Sequence, residues 1–292
     1  MTEPPKGWTE KPVQMRTTAP NEDLAYCVFL IERGLEGGGH RPRGSGFLVN
    51  VDSILYAVTA RHVVQQQDEK TGEWTEIIKP LFVRAVRDNE DGTHSSFLKE
   101  FASRFFSYDD MFVFHADASV DAAVFPTYRL VGVREKTKAL PTSFLQPDDL
   151  VRVGEDVHLF GFPGPYGCAE GMSVVRSGTI CFKLDRYKYL LDATAWPGDS
   201  GGLVCSKPYF GVPEDHSGQF QWQMGGKIIG LHRGREPASR FGLPAELEAF
   251  RLVVSAQAVS EILESEAFAS LHARIRAVEA ADLPRGEPTA AC

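Results

Sequence analysis

Short apolar segments separated by turn residues run along most of the chain. Residues 25–31 (AYCVFLI), 46–51 (GFLVNV) and 54–60 (ILYAVTA) are early examples, and DVHLFGFP, KYLLDATA and FRLVVSA are later ones. Segments of about five to eight residues at this spacing are typical of antiparallel strands, not of alternating strand and helix units. The pattern therefore predicts an all-β fold, either a sandwich or a barrel.

Turn residues between the apolar segments predict how the strands connect. Asp52 and Ser53 join two such segments, and the NEDG sequence at 89–92 joins two more, so we expect a hairpin at each place. The glycines from Gly34 to Gly44 predict a loop over that whole stretch.

One stretch near the end of the chain has helical periodicity. After Ser255, a predicted cap, apolar residues recur at helical spacing, and they are Val259, Ile262, Leu263, Phe268, Leu271 and Ile275. This predicts one C-terminal helix followed by a fraying tail. A second helix of one or two turns is predicted to start at Ala60 or His62 and to run through VVQQQ.

The composition is that of a folded, water-soluble protein. Of 292 residues, 43% are hydrophobic and 24% are charged, and the net charge is −8. An acidic surface repels phosphate backbones, so we expect no nucleic-acid partner. No segment approaches the roughly 18 apolar residues of a membrane-spanning helix, so we expect no membrane partner. Residues 1–22 are polar and proline-bearing, which predicts a flexible N-terminal arm.

The cysteines are an odd and widely scattered set without a CxxC pair, namely Cys27, Cys168, Cys181, Cys205 and Cys292. This spacing argues against a zinc site and against a dense disulfide framework. We therefore expect no metal and no cofactor, and a reducing, cytoplasmic location.

The WPGDSGG sequence at 196–202 is the first candidate for chemistry. Glycine weakens regular structure, so glycines on both sides of Ser200 need a physical reason. A tight turn can aim the backbone amides of Gly198 and Ser200 at one point, where they would form an oxyanion hole beside the serine hydroxyl.

Two further residues would complete the apparatus of a serine nucleophile. A serine hydroxyl is a weak nucleophile without an adjacent base, and His62 follows a strand-like segment in a position that holds a side chain rigidly. Asp121 opens another apolar segment and would orient the imidazole if it were buried beside it. Asp117, four residues earlier, is the rival carboxylate.

These residues follow the chain order of chymotrypsin-like enzymes, His, then Asp, then Ser within GDSGG. Six segments, GSGFLVN…YAVTARHVV, VDAAVF, LFGFPGPYG, SVVRSGTI, LLDATAWPGDSGGLV and KIIGLHRG, resemble in that order the conserved blocks of trypsin-like peptidases. The chain is thus similar to the trypsin/chymotrypsin superfamily from about residue 25 to residue 259. It is nearest in character to bacterial Deg-type proteases and glutamyl endopeptidases.

The resemblance implies two six-stranded antiparallel β-barrels with an active site between them. It implies a first barrel over 23–140 that carries His62 and Asp121, and a second over 141–254 that carries Ser200. The C-terminal helix and tail, 255–292, would dock on the second barrel. The implied activity is that of a trypsin-like serine endopeptidase, which forms an acyl-enzyme with a protein or peptide substrate.

Two positions depart from the family pattern. No IVGG-like start of a mature chain supplies an amine for Asp199, so this carboxylate needs an arginine or the N-terminal arm as its counter-charge. We therefore expect constitutive activity, or activation by a partner protein that orders the loops. Arg61 stands where the family has alanine before the histidine, and this change is tolerable if its side chain points to solvent.

The resemblance also places a substrate pocket around Thr194, Ala195, His232 and Arg233. Thr194 replaces the aspartate of trypsin, which argues against cleavage after Lys or Arg. GLHRG resembles the GxHxG strand of glutamyl endopeptidases and of viral chymotrypsin-like cysteine proteases, whose histidine binds an acidic or amide side chain. This predicts cleavage after Glu, Asp or Gln. The alternative is that His232 only fills a strand position.

Two other functions stay open from the sequence. The first is a catalytically silent binding module on the same fold, whose usual signature is the loss of a triad residue. The second is an esterase that uses the same triad. An α/β-hydrolase has its catalytic histidine downstream of GxSxG, whereas the candidate histidine here, His62, lies upstream of Ser200. Zinc proteases have HExxH, which this sequence lacks.

Overall fold

The computed structural model describes residues 22–68, 70–88, 94–101, 105–127, 139–163, 173–207, 209–211, 221–223, 227–234 and 250–282. Of the predicted N-terminal arm only Glu22 belongs to these residues, and the predicted tail from residue 283 lies outside them. No helix in the described ranges is both long enough and apolar enough to cross a membrane.

Most elements of the structure are short strands. They are β1 (Val28–Gly34), β2 (His40–Val51), β3 (Ile54–Thr59), β4 (Gln65–Gln67), β5 (Trp74–Ile77), β6 (Leu81–Asp88), β7 (His94–Glu100), β8 (Val113–Phe114), β9 (Ala123–Pro126), β10 (Leu140–Pro141), β11 (Asp156–Gly161), β12 (Val174–Asp185), β13 (Lys188–Asp192), β14 (Leu203–Ser206), β15 (Tyr209–Gly211), β16 (Gln221–Gln223), β17 (Ile228–Gly234) and β18 (Arg251–Ser255). The α-helices are α1 (Glu22–Ala25), α2 (Arg61–Val64), α3 (Ala256–Glu264) and α4 (Glu266–Asp282).

The N-terminal half is an eight-stranded sheet. Its strands follow the order β7-β6-β1-β2-β3-β9-β8, and β10 pairs in parallel with β2. Asp52 and Ser53 make the predicted hairpin between β2 and β3, with φ values of 49° and 70°. Strands β6 and β7 pair antiparallel as predicted, and the NEDG turn between them lies outside the described residues.

The C-terminal half is a closed barrel of six antiparallel strands. They follow the order β11-β12-β13-β18-β17-β14, and β14 pairs with β11 to close the ring. Alternate positions of these strands point inward, so that Leu159, Tyr189, Val204 and Val253 form the barrel core. The predicted all-β fold and the helical C-terminus are confirmed, and the C-terminal half is a six-stranded barrel as predicted. The main sheet of the N-terminal half has eight strands instead of the predicted six, and β4 and β5 pair separately from it.

Two local predictions were wrong. The predicted loop from Gly34 to Gly44 is shorter, because β2 already begins at His40 and pairs with β1. A glycine in a strand can mark the close approach of another backbone instead of a turn, and Ser45 N–H donates to Ser200 O at 2.6 Å beside Gly44. The short helix after Ala60 ends at Val64, because the glutamines that follow form β4 and pair with β5.

The C-terminal helical segment is two helices instead of one. Ser265 has extended backbone angles (φ −71°, ψ 152°) and separates α3 from α4. Its hydroxyl donates to Ile262 O at 2.7 Å and accepts from Phe268 N–H at 3.2 Å, so one side chain ends the first helix and caps the second.

The two helices pack on different parts of the molecule. Helix α3 contacts β17 and β18 of the barrel and β9 of the N-terminal sheet. Phe268, Leu271 and Ile275 of α4 belong to the same buried cluster as the N-terminal sheet, and the ring of Phe268 lies 4.8 Å from that of Tyr56. The predicted docking on the second barrel therefore describes α3 in part, and α4 packs against the N-terminal half. Strands β1–β10 thus belong to the first half and the barrel strands to the second, and α4 at the end of the described chain packs on the first half again.

Candidate active site

His62 lies on α2, directly after β3, and its ring is held by Asp121. Nδ1 is 2.7 Å from Asp121 Oδ2, and the His62 backbone N–H donates to Asp121 Oδ1 at 2.9 Å. With its proton on Nδ1, the neutral ring presents Nε2 as an acceptor. The His62 side chain is 34% exposed and that of Asp121 is 1% exposed. A substrate can therefore reach the imidazole but not the carboxylate.

Asp121 stays ionised in spite of its burial. Burial alone raises the pKa of Asp121, but His62 and Arg233 together hold that pKa well below its usual range. Arg233 Nε lies 2.7 Å from Oδ2, the same oxygen that binds the imidazole. The rival carboxylate, Asp117, instead accepts the Ser119 N–H at 2.8 Å. Of the two candidates, only Asp121 contacts His62 in the described residues.

Ser200 lies in the turn between β13 and β14, and both halves of the molecule anchor that turn. The Ser200 carbonyl accepts the Ser45 N–H of β2 at 2.6 Å, and the Gly201 N–H donates to His232 O of β17 at 2.6 Å. The Ser200 hydroxyl donates to Arg233 O at 3.2 Å. In the described part of the chain it makes no hydrogen bond with His62.

The amides predicted to form an oxyanion hole are available. Gly198 has a φ of +104°, which a side chain would oppose, and its carbonyl accepts from the Ser45 hydroxyl at 2.8 Å. Neither the Gly198 N–H nor the Ser200 N–H has an acceptor among the described residues. Two unoccupied donors beside a hydroxyl are what an oxyanion hole requires.

The counter-charge of Asp199, which the sequence does not identify, is Arg176. The Asp199 side chain is fully buried, and Arg176 Nη2 of β12 lies 2.5 Å from Oδ1. Oδ2 accepts the Trp196 N–H at 2.7 Å, which ties the carboxylate to the start of its own turn. Burial raises the pKa of Asp199, and the Trp196 hydrogen bond and Arg176 oppose that shift. Of the two partners predicted for Asp199, the arginine is present.

His232 is buried next to this turn, and its backbone pairs with Gly201 and Gly202. Its side chain is 1% exposed, and neither ring nitrogen meets a donor or acceptor among the described residues. Burial lowers the pKa of His232 to about 3, with Arg176 and Arg251 adding repulsion, so the ring is neutral. A buried imidazole without partners is costly unless a ligand supplies one.

The other predicted pocket residues, Thr194, Ala195 and Arg233, have different surroundings in the structure. Ala195 is buried with its carbonyl 3.5 Å from Arg251 Nη2, whereas Thr194 is exposed. Arg233 departs from the prediction, because its side chain turns to Asp121 and not to the pocket. Arg233 lies at a bulge of β17, where the pairing with β18 shifts between His232 and Gly234, and a bulge redirects the side chain that it carries.

The family model for the trypsin-like peptidase domain matches residues 44–208, more than half of the chain. The chain belongs to this family.

Other comparisons add less about this trypsin-like peptidase. A solved structure described as a serine endoprotease from Yersinia pestis is similar at a TM-score of 0.48 and 15% identity, over 86% of this chain and 67% of the other. None of the curated proteins compared with the chain matches it.

The side chain of Arg61 packs between two aromatic rings. Its guanidinium lies 4.6 Å from the ring centre of Trp74 and 4.4 Å from that of Phe114, and Nε donates to Gln65 Oε1 at 2.7 Å. Trp74 Nε1 in turn donates to Ala118 O at 2.8 Å. Arg61 therefore does not point freely to solvent. It joins the histidine turn to the segment that leads to Asp121.

Three residues of this trypsin-like peptidase were missed as parts of the site. Arg176 binds Asp199, Arg251 contacts Ala195, and Ser45 ties both the Gly198 carbonyl and the Ser200 carbonyl. The only sequence signal for Arg176 was a lone basic residue in an apolar strand (SVVRSG). Arg251 and Ser45 carried no signal, because their partners lie far away in the chain.

Proposed function

We propose that this chain is a serine endopeptidase in which Ser200 is the nucleophile, His62 the general base and Asp121 the residue that orients the base. The support is the two-point contact between His62 and Asp121, which leaves an accessible imidazole nitrogen at the interface where the Ser200 turn is anchored. Family membership supports peptides and proteins as the substrate class.

The proposed reaction begins with rotation of the Ser200 hydroxyl from Arg233 O toward His62 Nε2. Catalytic hydrogen bonds are often absent or long before substrate binds. His62 then takes the hydroxyl proton as Ser200 attacks the peptide carbonyl, and the amides of Gly198 and Ser200 stabilise the oxyanion. His62 returns the proton to the leaving amine, and water repeats the sequence on the acyl-enzyme. Loss of one oxyanion donor should cost about 2.7–4 kcal/mol.

The change Ser200→Ala tests this function. We expect turnover of peptide substrates to disappear, while circular dichroism and thermal unfolding show a folded protein, because the change removes only one oxygen. Activity of the variant equal to that of wild type would contradict the assignment of Ser200.

One observation favours a second candidate function, a catalytically silent binding module. The Ser200 hydroxyl is directed at Arg233 O and not at His62. A fluorophosphonate probe distinguishes the two functions, with Ser200→Ala as the unlabelled control. Labelling of Ser200 in folded wild type supports the peptidase, and failure to label supports the binding module.

We also propose that the enzyme cleaves after an acidic or amide residue. His232 supplies a neutral ring whose nitrogens have no hydrogen-bond partner among the described residues, and a carboxylate or amide oxygen could accept its N–H. Arg176 and Arg251 are close enough to act on His232 electrostatically, which gives the pocket a positive surrounding. Both features favour Glu, Asp or Gln before the scissile bond.

A panel of peptides that differ only before the scissile bond tests this preference. Wild type should favour Glu or Gln over Leu, and His232→Leu should lose that discrimination while it still cleaves after Leu. Equal turnover after Glu, Leu and Ala by wild type would exclude the proposed pocket chemistry.

The internal Arg176–Asp199 pair supports constitutive activity, because the Asp199 carboxylate has a counter-charge without a new N-terminal amine. Labelling of the intact chain by the fluorophosphonate probe would support this proposal, and labelling only after a partner protein is added would support activation by that partner. A reducing, cytoplasmic location is proposed on the free thiols of Cys181 and Cys205, and cell fractionation tests it.

A further inference from the structure

The side chain of Arg233 occupies a position inside the proposed catalytic centre. Its Nε lies 2.7 Å from Asp121 Oδ2, while His62 Nδ1 lies 2.7 Å from the same oxygen. The Arg233 side chain is 13% exposed and that of Asp121 is 1% exposed. The ion pair is therefore largely shielded from water, unlike a surface salt bridge, whose contribution is small.

The backbone of the same residue contacts the other end of the triad. Arg233 O accepts the hydroxyl of Ser200 at 3.2 Å. Asp121 precedes β9 of the N-terminal sheet, whereas Arg233 belongs to β17 of the C-terminal barrel. One residue of the second half thus contacts the carboxylate of the first half and the nucleophile of its own half.

The charged or titratable groups that face His62 and Asp121 are Arg43, Arg61, His232 and Arg233. Arg43 binds the backbone carbonyl of His62 at 2.9 Å, and Arg61 stacks between two aromatic rings. His232 is neutral because burial depresses its pKa to about 3. Among the described residues, only Arg233 places a permanent charge on the oxygen that binds the imidazole.

A shared carboxylate oxygen stabilises a protonated imidazole less than an unshared one, since guanidinium and imidazolium compete for the same charge. The guanidinium also repels the proton that His62 would take up. Removal of the guanidinium would therefore leave the Asp121 charge to the imidazole alone and favour protonation of the ring.

We propose that Arg233 is a positioning residue of the catalytic centre, which holds Asp121 across the two halves and sets the pH at which His62 becomes available as a base. This inference rests on the proposed function of His62, Asp121 and Ser200. It assigns Arg233 to the triad side of its strand and His232 to the pocket side.

The test compares Arg233→Met, Arg233→Gln and Arg233→Lys by the pH dependence of kcat/KM. Methionine and glutamine remove the charge, so the acid limb should move to higher pH by about one unit. The kcat on the plateau should fall roughly tenfold or more, with KM little changed, because Asp121 loses a buried partner. Lysine keeps the charge and should keep the acid limb near that of wild type.

Arg274→Met is the matched control, because it removes an arginine from the exposed face of α4, 45% exposed, and should leave the pH profile unchanged. The proposal would be overturned if the acid limbs of all Arg233 variants coincided with that of wild type. So would changes confined to KM and to the residue preferred before the scissile bond, which would place Arg233 in the pocket.

A measurement without turnover separates this proposal from the proposed function. The proton NMR signal of the His62 Nδ1–H is followed against pH in the single variant Ser200→Ala and in the double variant Ser200→Ala/Arg233→Met. The titration midpoint should be higher in the double variant. An unchanged midpoint overturns the role of Arg233, whereas a wild type that neither cleaves peptides nor labels with the probe overturns only the peptidase function.

Discussion

At the scale of single residues, the close approach of Gly234 to Ser200 explains why this position has no side chain. Gly234 ends β17 with a φ of +113°, and a Cβ built there would lie 3.1 Å from the Ser200 hydroxyl. The position thus needs glycine both for its backbone angle and for the space beside Ser200.

The change Gly234→Ala should therefore lower kcat/KM on the order of tenfold, because a methyl group restricts rotation of the Ser200 hydroxyl. Steady-state kinetics with a peptide substrate measures the effect. Gly154→Ala is the matched control, since Gly154 has a φ of +90° with no atom within 4 Å of a built Cβ. If Gly234→Ala and Gly154→Ala lost equal activity, backbone strain alone would explain the effect.

At the scale of elements, the turn that carries Ser200 depends on a neighbouring strand for its charge balance. Asp199 is fully buried and Arg176 of β12 is its ion-pair partner. The Arg176 guanidinium also lies 5.2 Å from the ring centre of Trp196, at the start of the same turn. The strand therefore fixes the conformation that presents the Gly198 and Ser200 amides.

Removal of that partner should be costly. Arg176→Met leaves a buried carboxylate without a counter-charge, so we expect the free energy of unfolding to fall by about 3–5 kcal/mol. Urea denaturation measures this change. The double variant Arg176→Met/Asp199→Asn removes both charges and should recover a large part of the loss. A double variant as unstable as the single one would mean that Arg176 contributes by packing instead of by charge.

At the scale of the whole molecule, α3 joins the two halves through Glu261. Glu261 Oε2 accepts the hydroxyl of Tyr187 at 2.7 Å and lies 3.1 Å from His115 Nε2. His115 belongs to the segment between β8 and β9 of the N-terminal half, and Tyr187 to the turn between β12 and β13 of the barrel. The Glu261 carboxylate of α3 thus contacts one residue from each half of the molecule.

We expect Glu261→Ala to lower the free energy of unfolding by about 1–3 kcal/mol, because the buried His115 loses a hydrogen-bond partner. Glu264→Ala, one turn further along the same helix and exposed, should change it by less than about 0.5 kcal/mol. Thermal unfolding of the two variants side by side measures the difference. Similar losses would indicate that the contact between the halves is not responsible for the effect of Glu261→Ala.

The sequence predicted much of this protein because the features concerned are local. Alternation of apolar residues depends on the next few positions, so strands and the hairpin at Asp52 and Ser53 could be predicted. The placement of His62 beside Asp121, and of Ser200 in a glycine-rich turn, followed from the residue types that acyl transfer needs and from their order.

The tertiary structure alone decided which distant side chains became partners. Arg176 for Asp199, Arg233 for Asp121 and Tyr56 for Phe268 are pairs that no local pattern connects. The same applies to the side of the strand from which Arg233 projects, and to the return of α4 to the N-terminal sheet. Such contacts depend on strand register and on the packing of one half against the other, since a shift of one residue moves a side chain to the opposite face of its strand.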